Sequence, residues 1–307
     1  ARDSTAAIAR ALGIEPEAVL PASTGVIGAH LPDDKIAAQA EALVGKLSPE
    51  GHEEFALAIC TTDRWTKIAE ADAEGARVLA IGKGAGMLHP DVGGLPQATM
   101  LVFVFTDAEV TQPALESALT QASEVTFNAC SVDGDTSTND TVIAMASGAS
   151  GKKPSQAALT AAFTQVCDAL ARSMVADGEG AKHVAELRLR GLASREDARL
   201  VARTIATSML VKTMMFGQDV NWGRLLAAAG RAGVAFDPRR AAIEVGGIRI
   251  VENGAPIGVE AELRANEVLK QATYVIDIEL GDGPGEFRYL TSDLGHGYVD
   301  VNAGYRS

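Results

Sequence analysis

Short apolar runs alternate along this chain with segments whose apolar residues recur at helical spacing. That alternation restricts it to folds that layer helices on sheets. The strongest helical signal is Pro154 to Val175, where Ala158, Phe163, Val166, Leu170 and Met174 keep near-helical spacing. Ala76 to Ile81 and Met100 to Thr106 are short apolar runs bounded by Gly or Asp, the pattern of buried strands. Helices are expected over 34–47, 49–59, 112–122, 195–210 and 221–231. Pro113 suits a first helical turn, Asn221 an N-cap, and Gly13 the close of a helix carrying Ile8 and Leu12. His183 to Leu189 alternates like a strand, and so do shorter runs at 242–245, 248–250, 274–280 and 298–301. These elements predict a mixed α/β (α+β) layered fold. A main domain is expected over residues 1–190 and a smaller α+β domain over 191–307, divided where polarity rises between Gly191 and Arg195.

Composition narrows the function classes. Aromatic residues make up 5% of the chain and hydrophobic residues 47%, so the core must be aliphatic. The net charge of −13 argues against a nucleic-acid partner, because phosphate binding needs clustered Lys and Arg. No apolar run is long enough to span a membrane, and Ala1 to Ser4 lacks a signal-peptide pattern. The three cysteines, Cys60, Cys130 and Cys167, show no CxxC spacing and read as reduced, buried thiols of a cytoplasmic protein. The five histidines show no metal spacing, and no metal is expected.

The stretch richest in chemistry is Lys83-Gly84-Ala85-Gly86-Met87-Leu88, running on to Gln97-Ala98-Thr99-Met100. Its glycines let backbone N–H groups crowd toward a bound group. It lacks both the GxxxxGK[ST] and GxGxxG spacings, so it is not a phosphate loop. Cleavage before Thr99 would give that residue an α-amino group able to serve as base for its own hydroxyl. Otherwise Thr99 is a plain strand residue. Other candidates carry similar alternatives. Thr24-Gly25 can aim an N–H and a hydroxyl at an oxyanion, or simply end a strand. Lys83 can meet a carboxylate, or be a solvated loop lysine. Glu179, between two glycines after a long helix, gains nothing from the helix dipole there and can bind an ammonium group, or face solvent. Thr61 reads as an ordinary cap or turn. Asp133, Asp135 and Asp140 fail the calcium-loop spacing and read as loop-stiffening hydrogen-bond acceptors.

Taken in order, further segments join these: Ser23 to Gly28, Ser131 to Thr141, Asp177-Gly178-Glu179-Gly180, Asn221-Trp222-Gly223-Arg224 and Asn302 to Ser307. Over nearly its whole length the chain resembles the ornithine acetyltransferase (glutamate N-acetyltransferase) family. The resemblance implies that family's layered α/β sandwich. It implies self-cleavage between Ala98 and Thr99, with Thr99 then the nucleophile of acetyl transfer from N2-acetyl-L-ornithine to L-glutamate in arginine biosynthesis. Thr24 and Gly25 take the oxyanion-hole role, and Thr61, Lys83, Thr99, Glu179, Asn302 and Ser307 bind substrate. No cofactor is implied, although some members also accept acetyl-CoA. The partners are then the amino-acid substrates and the two cleavage peptides, held as a heterodimer that oligomerises further in the cytoplasm. Family members usually carry a segment ahead of the part matching Ala1, contributing strands and part of the site's wall. They also pass from the glycine-rich turn to the Ala-Thr junction with fewer residues than 91–97 here. Two rival readings remain at this point: an N-terminal-nucleophile amidase or aminopeptidase of the same architecture, and a non-catalytic fragment.

Overall fold

A computed structural model describes residues 1–92 and 100–304. The chain begins with three helices, α1 (Arg2–Leu12), α2 (Asp33–Val44) and α3 (His52–Ala58). Gly13 closes α1 in a left-handed conformation, as its sequence position predicts. Strands β1 (Lys67–Ala73), β2 (Ala76–Lys83), β3 (Leu101–Thr106) and β5 (Thr141–Ala146) form a sheet in the order β1-β2-β3-β5. The first three are antiparallel, and β5 lies parallel to β3. Helix α4 (Gln112–Val125), with Pro113 in its first turn, and helix α5 (Gln156–Ala176) cover one face. The Ser155 side chain caps α5 by accepting from Ala158 N–H, and Leu159, Phe163, Val166, Leu170 and Met174 form its buried stripe.

The second sheet runs β4-β11-β6-β10-β7-β8-β9 among the described residues. Its strands are β4 (Cys130–Ser131), β6 (Val184–Gly191), β7 (Ala242–Val245), β8 (Ile248–Glu252), β9 (Ala255–Pro256), β10 (Thr273–Glu279) and β11 (Gly283–Ser292). Helices α6 (Arg195–Ala206), α7 (Met209–Gly217), α8 (Trp222–Gly230) and α9 (Val259–Leu269) supply the rest of its aliphatic core. The Asn221 side chain caps α8, as expected. β6 pairs with both β10 and β11, so the chain changes sheets at the end of α5, ahead of residue 190. β4 steps back into the second sheet before β5 completes the first, which ties the two layers together.

Three sequence expectations change. The helix expected over 195–210 is two helices, broken at Thr207-Ser208. Lys67–Ala73 and Thr141–Ala146 are strands that the apolar-run criterion passes over, because charged or small residues dilute them. The alternating run 298–301 is not a strand but part of α10 (His296–Gly304). Alternation specifies a strand only where a sheet edge is available. The neighbouring β11 already pairs with β6 on one side and β4 on the other.

The core also holds His89, buried beside the Tyr289 hydroxyl. Burial, aided by the Arg203 charge, pushes its pKa down to about 4. The unfolded chain, with a histidine pKa near 6.5, therefore binds the extra proton first, and stability falls as pH drops from about 6.5 to about 4. His89→Asn should remove roughly 3 kcal/mol of that acid sensitivity. Urea unfolding at pH 7 and pH 4 checks this: a wild-type loss no larger than the variant's contradicts a neutral buried His89.

Candidate active site

The end of β2 places the ammonium of Lys83 beneath a cavity of roughly 480 Å³. Thr24, Gly25, Thr61, Thr62, Gly86, Met87, Asp133, Glu179, Tyr298 and Asn302 are among the residues that line it. These come from separate stretches of chain, so the fold gathers them. Lys83 is fully buried and donates to Thr24 Oγ1 at 3.1 Å and to Thr61 Oγ1 at 3.4 Å. Burial lowers its pKa, opposed chiefly by the Asp63 carboxylate.

The glycine-rich turn is held from three sides. Asp63 Oδ1 accepts from Gly84 N–H at 2.8 Å. Asp133 accepts from Met87 N–H at 2.6 Å and Leu88 N–H at 3.0 Å. Ala85 C=O accepts from Glu179 N–H at 2.9 Å. Burial raises the Asp133 pKa, and its hydrogen bonds from Asp135, Leu88 and Met87 N–H oppose that rise. The Asp133 loop thus does more than stiffen itself, because it clamps the neighbouring turn. Met87 adopts a positive φ of 47°, strain that this clamp holds in place.

Behind the turn sits a buried ion cluster. Lys67 Nζ lies 2.6 Å from both Asp63 Oδ1 and Asp177 Oδ2, with all three side chains closed to solvent. Arg64 Nε meets Asp177 Oδ1 at 2.8 Å. Burial pushes the Asp63 pKa up, but hydrogen bonds from Lys67, Gly84 and Thr61 outweigh it, and the carboxyl stays below its ordinary range. Sequence reasoning quoted Asp177 within a segment but gave no role to Asp63, Lys67 or Asp177. The available signal was a carboxylate at the C-terminal end of α5, where the helix dipole disfavours it.

Glu179 follows two residues later and packs its carboxylate against Gly86, where a Cβ would meet it at 2.3 Å. Asn302 Nδ2 on α10 donates to Glu179 Oε2 at 2.8 Å. α10 reaches this position because Gly180, at φ +70°, leaves room for the backbone of Gly297 and Tyr298. The expected residues Thr24, Gly25, Thr61, Glu179 and Asn302 therefore surround one cavity, with Lys83 under its floor. Ala98, Thr99 and Ser307 lie outside the described residues. Met100, next after the expected junction, is buried. Its N–H donates to Asp140 Oδ1 at 2.9 Å, and its C=O accepts from Thr141 N–H at 3.0 Å.

The three cysteines are free, and burial pushes the Cys130 and Cys167 thiols up to about 12, so neither supplies a thiolate at neutral pH. Among the described residues no His, Cys, Asp and Glu grouping could hold a metal, and no helix is long and apolar enough to cross a membrane. A second concavity, about 580 Å³, opens beside β6, β10 and β11 of the seven-stranded sheet and contains none of the candidate residues. Its Arg188, Arg190 and Arg288 are already paired with Glu186, Asp277 and Asp168.

A family model described as the ArgJ family matches residues 1–307. The arginine biosynthesis bifunctional protein ArgJ of Nitratidesulfovibrio vulgaris is 43% identical over 307 residues, covering 98% of this chain and 77% of that protein. The protein of the same name from Parasynechococcus marenigrum is 44% identical over 306 residues, covering 98% of this chain and 73% of that one. A crystal structure of the arginine biosynthesis bifunctional protein ArgJ from Bacillus halodurans is 38% identical with a TM-score of 0.63. That match covers 66% of this chain and 98% of the solved chain.

The contact at Gly180 is open to test. In Gly180→Ala the new Cβ would lie 2.3 Å from Tyr298 N, at a φ that alanine rarely adopts. The substitution should cost roughly 1–3 kcal/mol and lift α10 away from Glu179. Hydrogen exchange should show α10 amides losing protection while those of α5 keep it. Protection retained in α10 would mean that its docking does not depend on this glycine.

Proposed function

Because the chain belongs to the ArgJ family, we propose that it transfers the acetyl group of N2-acetyl-L-ornithine to L-glutamate, as an acyltransferase of arginine biosynthesis acting in the cytoplasm. The observation that carries this reading is the convergence of Thr24, Gly25, Thr61, Glu179 and Asn302 on one cavity beside the glycine-rich turn.

In this reading the chain first cuts itself. Thr99 Oγ attacks the Ala98 carbonyl carbon, and the peptide C–N bond breaks to leave an Ala98 ester and a free Thr99 amine. Water then hydrolyses the ester. The Thr99 amine, with an ordinary pKa of roughly 7.7–8.0, takes the hydroxyl proton as Oγ attacks the acetyl carbonyl of acetylornithine. Thr24 and Gly25 receive the tetrahedral oxyanion. The amide C–N bond breaks as the ornithine nitrogen takes the proton, and an acetyl-Thr99 ester remains. The glutamate amine attacks this ester, Thr99 Oγ leaves and recovers a proton, and N-acetylglutamate departs. Thr61, Lys83, Glu179, Asn302 and Ser307 hold the amino-acid substrates. The cycle needs no cofactor; some members of the family also accept acetyl-CoA as an acetyl donor.

Two observations support the cleavage step. β2, ahead of the junction, pairs with β3 after it from Val78↔Thr106 to Lys83↔Leu101, so the peptides would remain joined through one sheet as a heterodimer. The Bacillus halodurans chain, covered almost end to end, accounts for only 66% of this chain, close to the share taken up by residues 99–307.

Mass spectrometry of the denatured protein should find one peptide ending at Ala98 and another starting at Thr99. Thr99→Ala should stay whole and make no N-acetylglutamate. A wild-type chain still whole after long incubation counts against the cleavage. Free acetate formed without glutamate would instead indicate an amidase.

A further inference from the structure

We propose that Asp140 is a positioning residue that sets the nucleophile through the backbone N–H of Met100, in register with the oxyanion segment that its neighbour Asn139 holds. The inference rests on the self-cleavage and acetyl transfer proposed above. Thr99 lies outside the described residues, but Met100, to which a planar peptide joins it, does not. Met100 is fully buried, one residue ahead of β3. A buried N–H needs an acceptor. The strand ladders stop short of this one, since β2 pairs with β3 as far as Lys83↔Leu101 and β5 starts at Thr141, opposite Leu101. The acceptor is instead the buried carboxylate of Asp140, whose Oδ1 lies 2.9 Å from Met100 N. The next residue, Thr141, donates its N–H to Met100 C=O at 3.0 Å. Consecutive residues of one loop end thus hold both polar groups of Met100, so Asp140 does more than stiffen its own loop.

The preceding residue reaches the other half of the reaction. Asn139 Nδ2 donates to Ser23 C=O at 3.1 Å, one residue before Thr24. Thr138 Oγ1 donates to Asn139 Oδ1 at 2.9 Å, which orients that amide. Thr136 and Thr138 of the same loop line the cavity. The nucleophile and the oxyanion donors belong to distant stretches of chain, and the 139–140 pair gives the two a common reference. Acyl transfer depends on such a register, because a misplacement of about 1 Å costs roughly 10²-fold in rate.

Two substitutions separate placement from charge. Asp140→Asn keeps an acceptor in place and removes the charge, whereas Asp140→Glu keeps the charge and moves the acceptor by one methylene. Each is read by the rate of self-cleavage and by kcat and KM for N-acetylglutamate formation per mole of cleaved chain. Asp140→Asn should slow both reactions by roughly tenfold at most, the difference between a charged and a neutral acceptor. Asp140→Glu should slow both by roughly 10²-fold, with the smaller change in KM. A Glu variant as fast as the Asn variant, or faster, would overturn the proposal, because placement would then not be what matters. So would a loss confined to KM, which belongs to a substrate contact. Should Asp140→Glu fail to fold by circular dichroism, Asp140→Leu takes its place with the same loss expected, and a Leu variant as fast as the Asn variant overturns the proposal. A wild-type protein that neither cleaves nor makes N-acetylglutamate overturns the proposed function instead. A wild type that does both, with Asn and Glu variants alike, overturns only the role of Asp140.

Discussion

The geometry of the cavity depends on one buried ion cluster, Asp63, Lys67 and Asp177. Three charged side chains excluded from water carry a large desolvation penalty, which their mutual attraction offsets only in good geometry. Removing one partner would strand the others, a loss of roughly 3–5 kcal/mol. The cluster therefore has little freedom to rearrange. Its members sit where chain segments must be fixed: Asp63 in the turn after Thr61 and Thr62, Lys67 at the start of β1, and Asp177 at the end of α5. Because Asp63 Oδ1 also accepts the Gly84 N–H, the glycine-rich turn is referenced to the same point. Asp177 fixes the end of α5 two residues before Glu179. One electrostatic knot thus sets the relative positions of Thr61, the turn and Glu179.

Close approach then completes what charge begins. Glu179 can lie on the turn because Gly86 offers no Cβ, and α10 can lie on Gly180 for the same reason. A methyl group at either place would push apart surfaces that polar contacts hold together. The C-terminal helix gains its place from this packing and from the Asn302–Glu179 hydrogen bond, for none of its described residues is buried. The far end of the chain therefore reaches the cavity through backbone shape more than through a hydrophobic face.

The legibility of these features follows from how local each one is. The periodicity of α5 and the apolar runs of β2 and β3 are written in consecutive residues, and so are the cap at Asn221 and the glycine at position 13. The mixed α/β layering could be read from them. β1 and β5 were hidden because Lys67, Glu70 and Asp72 interrupt one, while the other is short and lies beside a loop rich in Ser, Thr and Asn. α10 was misread because pairing depends on which sheet edges are already taken, a property of the whole sheet. At the site, the segments that come together could be named from their order and their family likeness. The Asp63–Lys67–Asp177 cluster spans more than a hundred residues, and no sequence spacing links its members. Lys83 could be named from its charge and its place in the glycine-rich turn, whereas its burial beside two threonines is a property of the fold.

The cavity's two sides differ in how firmly they are held, and this bears on a site proposed to take two amino acids in turn. One side rests on strands and the ion cluster. The other, Thr24 to Ile27, belongs to a stretch between α1 and α2 without regular helix or strand. Among the contacts that tie it down are the bond from Lys83 to Thr24 and one from Asn139 Nδ2 to Ser23 C=O at 3.1 Å. A few such ties leave a segment low in local stability beside a firm scaffold. The lining residues also include Thr24, Thr61, Thr62, Thr136 and Thr138, whose hydroxyls can either donate or accept. Ornithine carries a cationic side chain and glutamate an anionic one. A wall of fixed charges would favour one and repel the other, whereas hydroxyls reorient at small cost. The lining also carries Asp133, Asp135 and Glu179, so the cavity sets carboxylates beside neutral hydroxyls and keeps the Lys83 ammonium buried behind Thr24 and Thr61.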